Sequence, residues 1–267
     1  MKKTILVFLL LLPVAKAFSQ VNDSLHVSNP AFGKGSKLVD IKDLVKDGFN
    51  YWNEDFTGHW AGIGISFNSF AGSDYSMYAD EQKNFLDNDL LSSNSLYLNF
   101  LQFSKGLQAT RNTIGLVTGA GITVQSSRLD KNTTIRKNSE GEVYPETLSL
   151  GSNQKSKFSS FYFEVPLLLE FQIPVKNYAN RFYFSAGAIA GRRLATYTKI
   201  KYREDGQKKK LKTPGSYSVQ DYRCSATLRM GYRWINVFAT YGLTPFFKKD
   251  KGPELFPYSF GIYLLAL

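Results

Sequence analysis

From Gly58 to the end of the chain, apolar residues alternate with small or polar ones at a period of two, the pattern of strands whose two faces meet different surroundings. His59 to Asn68 (HWAGIGISFN) sets Ala61, Ile63, Ile65 and Phe67 against Gly62, Gly64, Ser66 and Asn68. Asn112 to Ser126, Ser159 to Ile173, Arg181 to Tyr197, Asp221 to Tyr232 and Ile235 to Thr244 repeat the pattern, with Phe238 an exception in the last. Ser95 to Ser104 is apolar on both faces, and Tyr258 to Leu267 reads in either phase. Eight strands are predicted. No run approaches the roughly 18 apolar residues of a spanning helix; the best, Val165 to Phe171, is interrupted by Pro166 and Glu170.

The connections alternate in length. Ser69 to Asn94, Ser127 to Phe158, Thr198 to Gln220 and Pro245 to Pro257 are long and polar, whereas Lys105 to Arg111, Pro174 to Asn180 and Arg233-Trp234 are short. An even number of amphipathic strands with long loops at one end and tight turns at the other predicts an all-β, eight-stranded antiparallel transmembrane β-barrel of up-and-down topology, its long loops extracellular and its turns periplasmic. A soluble sandwich or lipocalin-like barrel also has period-two strands, but its polar face meets water and usually carries Lys, Thr and Glu. Here that face is rich in glycine, including Gly62, Gly64, Gly115, Gly119, Gly121, Gly187, Gly231, Gly242 and Gly261, which suits the narrow interior of eight strands. Trp60, Tyr222, Tyr232, Trp234 and Tyr258 fall near strand ends and are candidates for interfacial girdles.

Residues 1–19 read as a secretory signal: Lys2 and Lys3, the apolar run from Ile5 to Ala15, then small residues at Ala15, Ala17 and Ser19. A periplasmic segment at 20–57 follows, with a short helix expected over Ser36 to Val45, and the barrel domain occupies 58–267. Loss of Lys2, Lys3 and Lys16 lowers the formal charge from +11 to +8. Much of the remainder gathers at Lys199 to Lys212 and at Lys248, Lys249 and Lys251, so Lys208, Lys209 and Lys210 become candidate contacts for an anionic surface such as lipopolysaccharide, with a solvated flexible loop as the alternative. Nucleic acid does not fit an exported barrel.

Glu164, Glu170, Arg193, Arg223 and Arg229 share the lumen-facing phase, and a carboxylate and guanidinium network inside the barrel is expected to plug it. One cysteine, Cys224, and two histidines, His26 and His59, leave little for metal binding or for the His-dependent chemistry of barrel enzymes. No catalytic residue, metal or cofactor is expected.

The strands GHWAGIGISFN (Gly58 to Asn68), IGLVTGAGI (Ile114 to Ile122), FYFEVPLLLEF (Phe161 to Phe171) and FSAGAIAGRR (Phe184 to Arg193) resemble the small PorT-like outer-membrane β-barrel proteins of Gram-negative bacteria. The resemblance implies outer-membrane localisation and a link, for some members, to assembly of secretion machinery. Tyr263, Leu265 and Leu267 keep the alternate spacing that barrel-assembly machinery reads, although Leu267 replaces the common terminal aromatic. The expected role is structural, assembly or surface-interaction, with lipid, lipopolysaccharide or an envelope protein as partner; a barrel binding a lipid or small hydrophobic ligand, or a lipid-modifying enzyme, are the alternatives.

Overall fold

The computed structural model describes residues 56–108, 113–150, 152–175, 177–233 and 235–266. The signal, the segment 20–55 with its expected helix, Trp234 and Leu267 lie outside the described residues. Among the described residues eleven strands form: β1 (Gly62–Asp74), β2 (Asn94–Gly106), β3 (Ile114–Arg128), β4 (Thr133–Lys137), β5 (Val143–Thr147), β6 (Ser152–Val175), β7 (Asn177–Glu204), β8 (Gln207–Pro214), β9 (Tyr222–Tyr232), β10 (Ile235–Gly242) and β11 (Glu254–Ala266).

Eight of them close a ring in the order β6-β3-β2-β1-β11-β10-β9-β7, with β7 returning to β6. Each strand pairs with its neighbour in the sequence of barrel strands, and β1 closes on β11 from Gly62↔Ala266 to Asp74↔Glu254, antiparallel like the rest. The fold is an up-and-down barrel. The remaining strands belong to the long connections: β4 pairs with β5, and β8 folds back on the outer part of β7 around Asp205 and Gly206. The basic stretch from Lys199 to Lys212 therefore forms a β-hairpin.

Small irregularities reset the alternation. A bulge between Asn99 and Leu101 turns both Phe100 and Leu101 outward, which is why this strand looks apolar on both faces. In β11 the phase is settled by burial: Ser259 and Tyr263 point inward, whereas Phe260, Ile262 and Leu264 are exposed. Tyr263 thus belongs to the lumen and not to an outward terminal pattern. Phe238 breaks the pattern of β10 because it packs in the lumen against Tyr97 and Tyr263, with ring centroids 4.9 and 4.8 Å away.

The lumen is filled from both ends. At the short-turn end, residues 56–61 run into the barrel ahead of β1, and Phe56 and Trp60 form an apolar cluster with Val117, Leu168 and Ile189. Trp60 is only 1% exposed, so it is a lumen residue and not part of a girdle; Tyr222 and Tyr232 do face outward. Glycines make room for this plug: a Cβ on Gly115 would sit 2.4 Å from the Phe56 ring, and one on Gly119 would sit 2.7 Å from Trp60 and 2.1 Å from the carbonyl oxygen of Leu101. At the other end the long connections build a second apolar core, with Phe85, Leu86, Ile135, Val143, Val219 and Phe247 buried and Phe158 and Leu255 of the barrel wall joining them. The polar composition of these connections hides that core.

Outside, the balance is reversed. Phe67, Leu98, Leu167, Leu228, Val237 and Ile262, drawn from six strands, are all exposed and form part of a broad apolar belt. Replacing Gly119 with Val is expected to lower barrel stability by about 2 kcal/mol or more, because backbone and an indole ring both occupy the added volume. Urea unfolding of refolded protein in detergent checks this; a loss under about 0.5 kcal/mol contradicts the close approach.

Candidate functional site

Near the short-turn end, the plug is held by side chains of the barrel wall. Gln102 Oε1 accepts from Trp60 N at 2.5 Å and Ala61 N at 2.8 Å, while Gln102 Nε2 donates to the Gly58 carbonyl at 2.8 Å. Gln172 Nε2 donates to the Thr57 carbonyl at 2.7 Å, and Asn99 Nδ2 to that of Trp60 at 3.0 Å. An irregular segment has no ladder partners of its own, so these amides supply what its backbone needs on leaving water.

Glu170 completes this layer. Its Oε2 accepts from His59 N at 3.1 Å and its Oε1 meets His59 Nδ1 at 2.7 Å, with Gln172 Nε2 at 2.6 Å. Arg181 Nε donates to His59 Nε2 at 3.3 Å, which puts the ring proton on Nδ1, toward the carboxylate. The imidazole also stacks on Tyr183, with centroids 4.0 Å apart and planes 3° from parallel. Both ring nitrogens are thus engaged by charged partners. A histidine arranged to activate a nucleophile instead keeps one nitrogen for that nucleophile.

Arg229 lies deeper, 3% exposed, with its guanidinium 4.9 Å from the Trp60 ring and 4.1 Å from that of Tyr263. Aromatic faces hold this charge in place of a carboxylate. Toward the long-loop end, Arg223 Nη2 donates to Glu164 Oε1 at 2.6 Å and Nη1 to Gln125 Oε1 at 3.0 Å, and the guanidinium lies 3.5 Å above the Tyr162 ring. Thr123 Oγ1 donates to the second oxygen of Glu164 at 2.6 Å. Arg193 joins neither group: it pairs with Asp221 at the rim, where Lys248 also contacts Asp221 at 2.6 Å. Those two cations hold the Asp221 carboxyl below its ordinary value of 3.8, the Lys248 contact most of all.

Five residues on one phase therefore form four separate arrangements, not one continuous network. Glu164 and Glu170 bind different partners at different levels. His59, Gln102 and Gln172 are functional-looking residues that alternation alone does not single out; long polar side chains beside a glycine-lined face were the available signal.

On the outside, Lys208, Lys209 and Lys210 cannot share a face, because successive strand residues point to opposite sides. Lys208 and Lys210 lie opposite Arg203 and Lys201 of β7, while Lys209 turns the other way and pairs with Glu204 at 2.8 Å.

No protein-family model and no curated protein matches the chain. Among solved structures, the chain aligns with Ail, the attachment invasion locus protein of Yersinia pestis, crystallised with the heparin analogue sucrose octasulfate; identity is 12%, the TM-score is 0.29, and the alignment covers 76% of this chain and 94% of Ail.

Glu164→Gln is expected to destabilise the barrel by about 3–5 kcal/mol, because it strands the Arg223 charge in a buried site. The double variant Glu164→Leu, Arg223→Leu should recover most of that loss. Urea midpoints for the three proteins in the same detergent test both statements; equal losses in the single and double variants contradict the pairing.

Proposed function

We propose that this chain is an outer-membrane β-barrel with a sealed lumen, acting through its exterior and loops as a structural, assembly or surface-interaction protein and not as a pore or a catalyst. The observation that carries this reading is the exposed apolar belt on the barrel wall. A soluble monomer rarely exposes contiguous apolar area beyond a few hundred Å², whereas lipid stabilises such a surface. The outward side of β6 stays apolar from Phe161 to Ile173. Twelve strand steps at about 3.3 Å give roughly 40 Å, or near 30 Å for strands tilted by about 40°, the thickness of a hydrocarbon core. The export signal read in residues 1–19 supports the same location.

The filled interior favours an exterior role. The lumenal cavity lined by Glu164 and Arg223 measures about 20 Å³, and the one lined by Tyr162 and Phe246 about 10 Å³. A pocket for a small hydrophobic ligand has a volume of order 300 Å³ or more, so the ligand-binding alternative finds little support. The resemblance to PorT-like barrels directs the reading toward envelope assembly.

Two measurements test it. With Cys224→Ser as background, Lys208→Cys should react with a membrane-impermeant maleimide on intact cells, and the protein should sediment with outer membranes; recovery as a soluble periplasmic protein overturns the location. Proteoliposomes should pass small solutes no faster than empty vesicles, and flux comparable to that of a general porin overturns the sealed lumen.

A further inference from the structure

Cross-strand register collects the outward-facing cations of four neighbouring strands into rows. Arg128 of β3 lies opposite Lys157 of β6, which faces Lys199 of β7, which faces Lys212 of β8. The next row is Lys155, Lys201 and Lys210, and the outermost is Arg203 with Lys208, so nine cations occupy one face. Like charges set directly opposite one another destabilise a sheet, and six such opposed pairs have a cost that a counter-charge would lower.

Among the described residues little counter-charge is at hand. Asp89 approaches Arg128 at 3.6 Å, and Glu204 serves Lys209 on the opposite face. Burial and the neighbouring Lys201, Arg128 and Lys199 together push the Lys157 ammonium below its ordinary 10.5. Between the rows lies a groove of about 470 Å³ whose charged lining is Arg128, Lys155, Lys157, Lys199 and Lys201, with hydroxyls from Ser92, Ser126 and Ser159 and no carboxylate.

Immediately below the rows, Tyr197 packs against Phe161 with centroids 6.0 Å apart, and Lys212 Nζ lies 4.0 Å over the Tyr197 ring. Phe161 opens the apolar side of β6 and stands four residues from Lys157 on the same face, about 13 Å by the strand rise. A cationic shelf separated from an apolar wall by a single row of Ser126, Ser159 and Tyr197 matches an amphiphile: acyl chains against the wall, anionic headgroup on the shelf. A soluble polyanion needs only the shelf.

We propose that this groove binds the phosphate groups of an outer-leaflet lipid, with Lys157, Lys199 and Lys201 as the central contacts and Arg128, Lys155, Lys210 and Lys212 around them. This rests on the membrane reading above and identifies a lipid class that the barrel wall recruits. Lysine and arginine contribute charge-assisted hydrogen bonds to phosphate oxygens, and the bound anion relieves the repulsion among the rows.

The test uses the full-length protein in zwitterionic detergent, titrated with diphosphoryl lipid A, with the same lipid stripped of both phosphates, and with the soluble diphosphorylated disaccharide. Flotation with phosphatidylcholine vesicles is scored separately, so failure to enter a bilayer counts against the membrane reading alone. The wild type should bind diphosphoryl lipid A at least tenfold more tightly than either of the other probes. Lys157→Gln, Lys199→Gln and Lys201→Gln combined should weaken that binding at least tenfold, while Lys131→Gln, Lys137→Gln and Lys249→Gln combined, removing the same charge elsewhere, should change it less than twofold. Without lipid A the first triple variant should unfold at higher urea than the wild type, since repulsion has been removed, which also guards against a folding defect. Equal loss in the two triple variants, no dependence on the phosphates, or a lower urea midpoint in the first triple variant overturns the proposal; disaccharide binding as tight as lipid A replaces the lipid with a soluble polyanion and overturns it as well.

Discussion

The pairing of β1 with β11 turns a sheet with two edges into a ring with none, and the rest of the molecule answers to that closure. Eight strands enclose a space barely wider than the side chains projecting into it. Inward positions must therefore be glycine where another group crosses close to the wall, and polar or aromatic where the space is wider. The apolar side chains that fill the interior of a soluble protein are displaced outward, and the same alternation that builds a water-soluble sandwich here presents its greasy side to the surroundings.

Closure also governs the buried charges. With water excluded from a narrow tube, each ionic group requires a local partner. Glu170 takes His59 and backbone, Glu164 takes Arg223 and Thr123, and Arg229 takes two aromatic rings. Splitting the charges into separate levels avoids aligning several of one sign along the axis. At the rim, Arg193 shares with Lys248 a carboxylate, Asp221, that stays half exposed.

Alternation made the eight barrel strands, their order and the inward phase of Glu164, Glu170, Arg223 and Arg229 legible from residue pattern alone, because a period of two survives any change of tilt or twist. It failed where geometry departs from that period. The bulge beside Phe100 added a residue, and Phe238 was inward despite being apolar because the lumen has its own aromatic layer. The loop core eluded the pattern for a different reason: its members, such as Phe85, Ile135 and Phe247, are scattered among polar residues and meet only through tertiary contact. The plug was missed because Phe56 precedes the predicted strand, and because Trp60, read as an end residue of that strand and a girdle candidate, belongs to an irregular segment ahead of β1 that turns into the lumen. The basic rows depended on register between strands far apart in the sequence.

The plug has a further property that follows from its attachment. Only Ala61 separates Trp60 from the first residue of β1, so the indole is a tethered ligand and not a free one. A short tether holds a group near its site at an effective concentration of order millimolar, and a local opening that frees the ring leaves it within a few ångströms of the cavity it vacated. A competing molecule would have to exceed that concentration before it could take the place of the indole.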